Sequence, residues 1–302
     1  MSDIEQKDKK RVSFSQYSMW SKCPNCWKLN YLEGKRIYDA SLNTAFGTAI
    51  HFVIQTYIEK LYTVSLQEAE SLELYKMFKD AFTSEIQKTK ETNPKFQCTE
   101  DEITDFMFDG EDILNTFLST PNRIKHFPSN KYEFLGTELP LEIDIKNNVQ
   151  FIAFVDLVLK EKETGVIKIY DFKTSSNGWN RWQQEDPSKF EQVLLYKAFY
   201  AKKYNLPLNM IDVEFFILKR KLYENVSYPQ SRIQLFTPTN NVPAIVTTLN
   251  SFTQFVDECF NVNGNYKVGG KFPKIPGKNK KNCKYCAHKK INCDAKADIL
   301  ED

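Results

Sequence analysis

The sequence predicts an α/β protein in which a mixed β-sheet core is flanked by helices. Three runs rich in β-branched and aromatic residues follow one another between residues 131 and 175. Segments with apolar residues at helical spacing precede and follow these runs. Strands and helices in the order βββαβ, within helical surroundings, are typical of an α/β core. With 302 residues, the chain is long enough for one large domain or two modest ones.

The N-terminal part of the chain is predicted to be helical. Residues 1–12 are mostly polar and charged, so we expect a disordered lead-in there. Residues 13–130 form a helical region, which begins with a short helix and turn over 15–31. A long helix is predicted over 43–62, and helical patterns continue from 66 to 126.

The sheet is predicted within residues 131–262. The expected elements, in chain order, are strands over 132–145, 149–161 and 165–175, a helix over 187–205, strands over 211–219 and 232–236, and a helix over 244–260. Pro187 stands where the first turn of a helix tolerates proline. Residues 263–302 are expected to form a separate basic segment at the C-terminus.

Composition favours an intracellular protein. The 41% hydrophobic and 26% charged residues are typical of an ordinary globular chain. No apolar run approaches the roughly 18 residues that a membrane span needs. The charged N-terminus also differs from a secretory signal. We therefore expect a cytoplasmic protein that does not associate with membranes.

Two neighbouring strands each carry one carboxylate. Asp156 is surrounded by apolar residues in the second β-type run, and Asp171 follows the apolar part of the third. A charge within an apolar strand is costly to bury unless something compensates it, and a shared divalent cation would do so. Because side chains alternate along a strand, Asp171 and Lys173 share a face while Phe172 points into the core.

These polar side chains suit the hydrolysis of a phosphodiester. Two carboxylates are hard oxygen ligands for Mg²⁺ or Mn²⁺, which polarise phosphate and generate hydroxide from water. Lys173 would orient that water or stabilise the charge on the pentacovalent phosphorane. The alternative is an exposed Asp–Lys pair on a surface strand, worth under about 1 kcal/mol.

Further motifs occur in a fixed order around this pair of strands. They are SFSQYSMWSKCPNCWKLNYLEG from Ser13, GTAIH ending at His51, YDFKTS with Asp171 and Lys173, and EQVLLY with Gln192 and Tyr196. The ordered set resembles the RecB-like branch of the PD-(D/E)xK nuclease superfamily, which includes CRISPR-associated RecB-type exonucleases and AddB-type iron–sulfur nuclease domains. The resemblance covers most of the chain and implies a restriction-endonuclease-like sheet. Ala153 departs from the glycine that is usual three residues before the first aspartate.

The resemblance implies additional site residues. Family members use the motif histidine as a metal ligand, so His51 is expected to join the two aspartates, with the Phe172 carbonyl as a fourth ligand. Gln192 and Tyr196 match a helix motif that positions DNA. Plainer alternatives exist, because His51 could be a buried core histidine. Gln192 and Tyr196, four residues apart on one helix, could simply bind each other.

The sequence contains seven cysteines, and the clustered ones near both ends are predicted to bind metal rather than to form disulfides, because the total is odd and they occur in close groups. Cys98 and Cys259 lie in helical patterns and are expected to be small core residues. The C-x2-C-x6-C spacing of Cys283, Cys286 and Cys293 needs a fourth thiolate from the N-terminus. Spacing alone favours zinc. The resemblance instead implies a [4Fe–4S] cluster that joins both termini, with Cys23 as the fourth ligand and Cys26 as its competitor. Unliganded, reduced cysteines are the remaining alternative.

Two segments are candidates for DNA contact. The loop after the third strand contains two tryptophans and an arginine: Trp179, Arg181 and Trp182. These side chains could stack on single-stranded bases, or the tryptophans could pack beneath the following helix. Nine lysines and no acidic residue occur between residues 266 and 292, among them Lys280 and Lys281. Such a run attracts phosphates or forms a solvated tail.

Together these features predict a Mg²⁺- or Mn²⁺-dependent deoxyribonuclease. We expect an exonuclease on single-stranded DNA or DNA ends, acting in recombination, repair or replication. The alternatives are an endonuclease with a zinc site and a non-catalytic DNA-binding module in a larger helicase or recombination complex. The chain has no G-x-x-x-x-G-K-[ST] motif, so any unwinding would come from a partner.

Overall fold

The structure is a computed structural model that describes residues 9–37, 41–93, 95–284, 286–289 and 291–293. The helices are α1 (Phe14–Lys22), α2 (Pro24–Trp27), α3 (Leu42–Thr63), α4 (Leu66–Glu70), α5 (Leu74–Thr92), α6 (Glu100–Leu118), α7 (Thr120–His126), α8 (Arg181–Gln184), α9 (Pro187–Tyr204), α10 (Val242–Cys259) and α11 (Lys281–Lys284). The strands are β1 (Lys10–Val12), β2 (Tyr132–Asp144), β3 (Val149–Glu161), β4 (Ile167–Ser175), β5 (Ile211–Lys219) and β6 (Ile233–Phe236).

The six strands form one mixed sheet in the order β1–β3–β4–β5–β6, and β2 also pairs with β3. β3 and β4 are antiparallel, whereas β4 and β5 are parallel along the whole of both strands. A parallel pair needs a long crossover, and α9 lies in that connection. The predicted α/β fold with a mixed sheet, flanking helices and a helical N-terminal region is confirmed.

The chain divides into two compact units that combine distant parts of the sequence. One unit contains the described residues within 1–39, 141–153 and 245–302, and the other contains those within 40–140 and 154–244. The boundaries predicted along the chain, at residues 130 and 262, do not coincide with these units. The discrepancy arises because the terminal segments pack with each other.

In the unit of residues 40–140 and 154–244, the core lies between the helices and one face of the sheet. α3 contributes a stripe of buried apolar residues along its length: Ala45, Phe46, Ala49, Ile50, Val53, Ile54, Ile58 and Leu61. This spacing matches the predicted helix, whose bounds of 43–62 are within one residue of those observed. The stripe belongs to the same core cluster as Tyr170 and Phe172 of β4. Phe172 therefore points into the core, as predicted.

In the other unit, an aromatic cluster surrounds Trp27. Its ring lies edge-on to the rings of Phe255, Phe260 and Tyr266, and stacks on that of Phe272. The ring centroids are 5.4–6.0 Å apart, the range in which aromatic pairs attract each other. Trp27 is fully buried, so this cluster fixes the chain directly beside Cys23 and Cys26.

The lead-in predicted to be disordered over residues 1–12 needs correction. Lys10–Val12 forms β1, which pairs in parallel with Val149–Phe151 of β3. A three-residue strand is too short for its pattern to be recognised within a charged segment. Residues 1–8 lie outside the described part of the chain, as do Tyr285, Lys290 and residues 294–302. In the part that is described, no helix is both long and apolar enough to cross a membrane.

Candidate active site

The candidate site lies where β3 and β4 separate. Their backbone pairing ends at Leu157 and Tyr170. Beyond that point, the N–H of Phe172 donates to the carboxylate Oδ2 of Asp156 over 2.7 Å. The carboxylate thus replaces a ladder partner, which gives it a fixed position beside the next residues of β4.

Asp171 and Lys173 lie on one face of β4, as strand alternation predicts. The ammonium Nζ of Lys173 lies 2.7 Å from Oδ2 of Asp171. The Asp171 side chain is only 2% exposed and that of Lys173 is 32% exposed. Apart from this ion pair, no group in the described part of the chain binds the buried Oδ2 with hydrogen-bond geometry. A buried carboxylate oxygen with spare acceptor capacity is a suitable ligand for a cation.

Helix α9 supplies Gln192, which contacts this lysine, and Tyr196, which contacts Gln192. Lys173 donates to Gln192 Oε1 over 3.2 Å, and Gln192 Nε2 donates to the Tyr196 hydroxyl over 2.6 Å. Pro187 begins the helix, and Asp186 caps it by accepting from the Ser188 N–H. Gln192 and Tyr196 do bind each other, and Gln192 also holds the lysine.

Helix α3 brings His51 close to Asp156. Its Nδ1 lies 3.9 Å from Asp156 Oδ2, and its ring lies at an angle of 64° to the ring of Phe172. One turn earlier, the backbone of Gly47 approaches β4 so closely that a Cβ there would lie 3.2 Å from Thr174 Oγ1. The small residue in the GTAIH motif therefore lets the helix approach the strand that carries Asp171 and Lys173.

Two further residues of this site were missed in the sequence. Gln55, one turn after His51 on α3, donates from Nε2 to Glu138 Oε1 over 2.7 Å and to the Asp156 carbonyl over 3.1 Å. Glu138 adopts a left-handed backbone conformation, with φ of 45°, inside β2. This irregularity re-aims a side chain in a strand. For Gln55, the only signal was its spacing of four residues from His51. No sequence pattern records the irregular backbone at Glu138.

Electrostatics at the site reflect a shortage of positive charge. Burial raises the pKa of Asp156 and of Asp171, and the charge of Asp171 raises that of Asp156 further. Burial would lower the pKa of the Lys173 ammonium, but the two carboxylates outweigh it and raise the pKa. Burial, then the charge of Lys173, lowers the pKa of His51 to about 4, so its imidazole is neutral and able to bind a cation at neutral pH.

A divalent cation fits this donor set. The buried Asp171 and the half-buried Asp156, both with raised pKa values, share one lysine, and a neutral imidazole lies beside them. Hard oxygen donors with an imidazole suit Mg²⁺ or Mn²⁺. As the described side chains stand, however, no three of the His, Cys, Asp and Glu residues already form a metal-binding arrangement.

Five cysteines lie close together in the unit of the terminal segments. The sulfurs of Cys26 and Cys286 are 3.3 Å apart and share a hydrogen bond. Cys26 also hydrogen-bonds to Cys23. Cys283 is close enough to the other thiols that, after burial, the charges of Cys286, Cys23 and Cys293 raise its pKa. The Ile275 N–H donates to Cys23 Sγ over 3.4 Å. The structure thus brings both N-terminal cysteines to the C-terminal three.

The thiols of this group differ in acidity. The side-chain hydrogen bond with Cys26 lowers the pKa of Cys23 to about 5 and that of Cys286 to about 6. The pKa of Cys26 itself is raised, chiefly because its side chain hydrogen-bonds to Cys23 and Cys286. Thiolates are the form that binds metal, so Cys23 and Cys286 are prepared for ligation. Next to them, Asn30 and His288 form a buried hydrogen bond of 2.6 Å.

The candidate DNA-contact residues occupy different environments. Trp179 packs against Phe215 and Phe236, with centroid distances of 4.8 and 5.9 Å, so its ring contacts strands rather than the following helix. Trp182 is 81% exposed, and Arg181 pairs with Glu185 on the surface. In the other unit, Lys280 and Lys281 are both exposed where α11 begins.

Comparison with known proteins identifies one family. A model of the PD-(D/E)XK nuclease superfamily matches residues 11–293 of the chain. No curated protein matches the sequence. A solved structure titled "Crystal structure of SSO0001" is 11% identical and has a TM-score of 0.35, covering 97% of this chain and 89% of that one. A likeness at that score carries no inference about the site.

Proposed function

The chain belongs to the PD-(D/E)XK nuclease superfamily. We propose that it is a divalent-metal-dependent deoxyribonuclease whose active site is formed by Asp156, Asp171 and Lys173. The supporting observation is that these side chains converge where β3 and β4 separate. A surface Asp–Lys pair would not require an aspartate that is 2% exposed. The proposal is supported by a second, largely buried carboxylate beside it, because two such charges next to one lysine need a compensating cation.

The metal site would be formed by side chains from three elements. Asp156 and Asp171, with the neutral His51 imidazole and the Phe172 carbonyl, would hold Mg²⁺ or Mn²⁺. When bound there, such an ion would polarise the scissile phosphate and lower the pKa of the attacking water. Gln55 donates to Glu138 and to the backbone carbonyl of Asp156, so it would help to fix the position of the Asp156 carboxylate.

The lysine would act on the phosphate. Lys173 is held by Asp171 and by Gln192, and Gln192 is in turn held by Tyr196. A fixed ammonium next to the scissile phosphate stabilises negative charge as it develops on the phosphoryl oxygens. Gln192 and Tyr196 therefore act as positioning residues for the lysine in this proposal.

The proposed substrate is single-stranded DNA or a DNA end, cut exonucleolytically during recombination, repair or replication. Trp182 offers an exposed ring on which a base could stack. In the other unit, Lys280 and Lys281 offer charges that attract phosphates. Because the chain has no P-loop motif, a separate helicase would expose single strands for it. End-labelled linear DNA and circular single-stranded DNA, incubated with Mg²⁺ or Mn²⁺, distinguish the modes: an exonuclease shortens only the linear substrate.

Substitution of the central residues tests the nuclease proposal. Asp171→Asn and Lys173→Ala are expected to lower the cleavage rate on the order of 10²–10³-fold or more, because each removes a group that stabilises the transition state. Affinity for DNA should change little, since most of it comes from phosphate contacts elsewhere. Lys168→Ala, which removes a lysine of the same strand paired to Asp212, is the matched control. Full cleavage by both site variants would overturn the assignment.

We also propose that the cysteine group binds a [4Fe–4S] cluster through Cys23, Cys283, Cys286 and Cys293. The proposal is supported by the proximity of these thiols and by the resemblance of the chain to iron–sulfur nucleases. Cys26 is the competing fourth ligand, because its sulfur is 3.3 Å from that of Cys286. Zinc remains the alternative metal for the same thiolates.

A further inference from the structure

A cavity of about 650 Å³ opens directly beyond the end of β4. Its wall begins at Ser175, two residues after Lys173, which along a strand is a distance of about 7 Å. The volume lies in the range of sites that hold small molecules, roughly 300–1,000 Å³. The residues that could contact a ligand here are Asn177, Lys219, Tyr223, Tyr228 and Gln183.

The cavity walls are held in place by two glutamine clamps. Gln234 accepts from the Trp179 N–H over 2.8 Å and donates to the Trp179 carbonyl over 2.9 Å. Gln230 binds both backbone groups of Tyr223 in the same way, over 2.8 and 2.7 Å. These clamps fix two loops that would otherwise be free to move, so the cavity exists before any ligand binds.

The charge of the cavity points to an anion. Among the residues that the structure describes, Lys219 is the one charged residue in its lining, and no acidic side chain lines it. Among the described residues, no side chain forms an ion pair or hydrogen bond with the Lys219 ammonium. The stem of the lysine lies over Gly178, where φ is +89° and a Cβ would come within 2.7 Å of Cε. Gly178 therefore leaves space for this lysine beside the cavity.

The aromatic rings point to a base. Tyr223 and Tyr228 line the cavity and are 56% and 57% exposed. An exposed ring beside an ammonium can stack a nucleobase while the ammonium contacts its phosphate. A base inside a duplex is not available for such stacking, whereas an unpaired one is.

We propose that this cavity binds one unpaired nucleotide of the DNA strand, next to the phosphodiester that is cut, through Lys219 and the rings of Tyr223 and Tyr228. This inference rests on the proposed nuclease function, which it deepens by naming the place where an unpaired nucleotide of the strand would bind. Because Ser175 extends the strand of Asp171 and Lys173, the nucleotide in the cavity would place its neighbour's phosphate over those residues.

Binding measurements in a cleavage-deficient background test the site without requiring catalysis. The probe is a short fluorescein-labelled oligothymidine titrated with Asp171→Asn protein, and the comparison is a blunt hairpin duplex. Adding Tyr228→Ala should weaken oligothymidine binding about 5- to 150-fold, as for loss of one stacked base, and leave duplex binding unchanged. Adding Tyr228→Phe should preserve the affinity, because the ring remains. Tyr75→Ala, which removes a 40% exposed tyrosine of α5, is the control.

The salt dependence of binding tests the contribution of Lys219 separately. Adding Lys219→Gln should reduce the salt dependence of oligothymidine binding by about 0.7 in the slope of log affinity against log salt, as for one lost phosphate contact. Tyr228→Ala should leave that slope unchanged. Unchanged affinity in Tyr228→Ala and unchanged slope in Lys219→Gln would overturn the proposal. If wild-type protein cuts DNA while both variants bind normally, the cavity assignment fails and the nuclease function stands.

Discussion

At the scale of single residues, the buried pair Asp156 and Asp171 has two opposing consequences. Next to one lysine, two carboxylates attract a divalent cation strongly. Without the cation, the same two charges repel each other in a largely buried site. A site of this kind favours metal binding because it destabilises the metal-free protein.

The loss of folding stability that these carboxylates cause in the metal-free protein can be measured through the pH dependence of unfolding. A raised carboxyl pKa means that the folded chain retains a proton that the unfolded chain releases, so stability falls as pH rises above the ordinary value of 3.8 through the raised value. Asp156→Asn should therefore raise the unfolding temperature of chelator-treated protein at neutral pH, by on the order of a few degrees. Below pH 3.8 the difference should vanish, because the carboxyl is protonated in both states.

Two choices make this measurement specific. Asp156 is used because removal of Asp171 would leave Lys173 without its ion pair. His51 acts in the opposite direction, since its pKa of about 4 lies below the ordinary 6.5 and its contribution is lost as pH falls through that window. Thermal unfolding of the variant and of wild type is therefore compared first above pH 6.5 and then below pH 3.8, with Asp80→Asn on α5 as the exposed control. A variant no more stable than wild type above pH 6.5 would contradict the prediction.

Residue patterns predicted the parts of this site that follow strand and helix periodicity. Asp171, Lys173 and Phe172 occupy the faces that alternation assigns, and Gln192 and Tyr196 are one helical turn apart. Glu138 could not be predicted, because its position depends on a left-handed residue inside a strand. The hydrogen bond from the Phe172 N–H to Asp156 depends on where two strands separate, which no local pattern records.

At the scale of elements, the close approach of α3 to β4 places His51 of the helix near Asp171 and Lys173 of the strand. The long helices and most strands were predictable because each repeats its pattern over several turns or residues. β1 was not, and neither was the grouping of both termini in one unit, because these depend on contacts between distant segments.

Gly47 tests this approach of helix to strand. Gly47→Ala places a methyl group 3.2 Å from Thr174 Oγ1, so α3 has to shift although alanine favours a helix. A small displacement of His51 should lower the cleavage rate on the order of tenfold, with little loss of unfolding temperature. The double variant Gly47→Ala/Thr174→Ala should recover most of the rate, because the contact is removed. Equal rates in the single and double variants would show that the contact is unimportant.

At the scale of the whole molecule, the cysteine group links segments that are far apart in the sequence. Cys23 and Cys283 are separated by most of the chain, yet they lie in one compact unit. A link that closes so long a loop removes much of the freedom of the unfolded chain. For a disulfide closing a long loop this is worth roughly 4–5 kcal/mol, and a cluster would act on the same principle.

If the proposed [4Fe–4S] cluster is bound by four thiolates, anaerobically purified protein should be brown and contain iron and acid-labile sulfide in equal amounts. Cys283→Ser should abolish the colour and lower the unfolding temperature on the order of 10 °C. Cys98→Ser, at a half-buried cysteine in the other unit, is the control and should retain both. Comparing Cys23→Ser with Cys26→Ser identifies the fourth ligand, and we expect only Cys23→Ser to lose iron. A colourless wild-type protein that contains zinc would refute the iron–sulfur assignment, while the stabilising link between the terminal segments would remain.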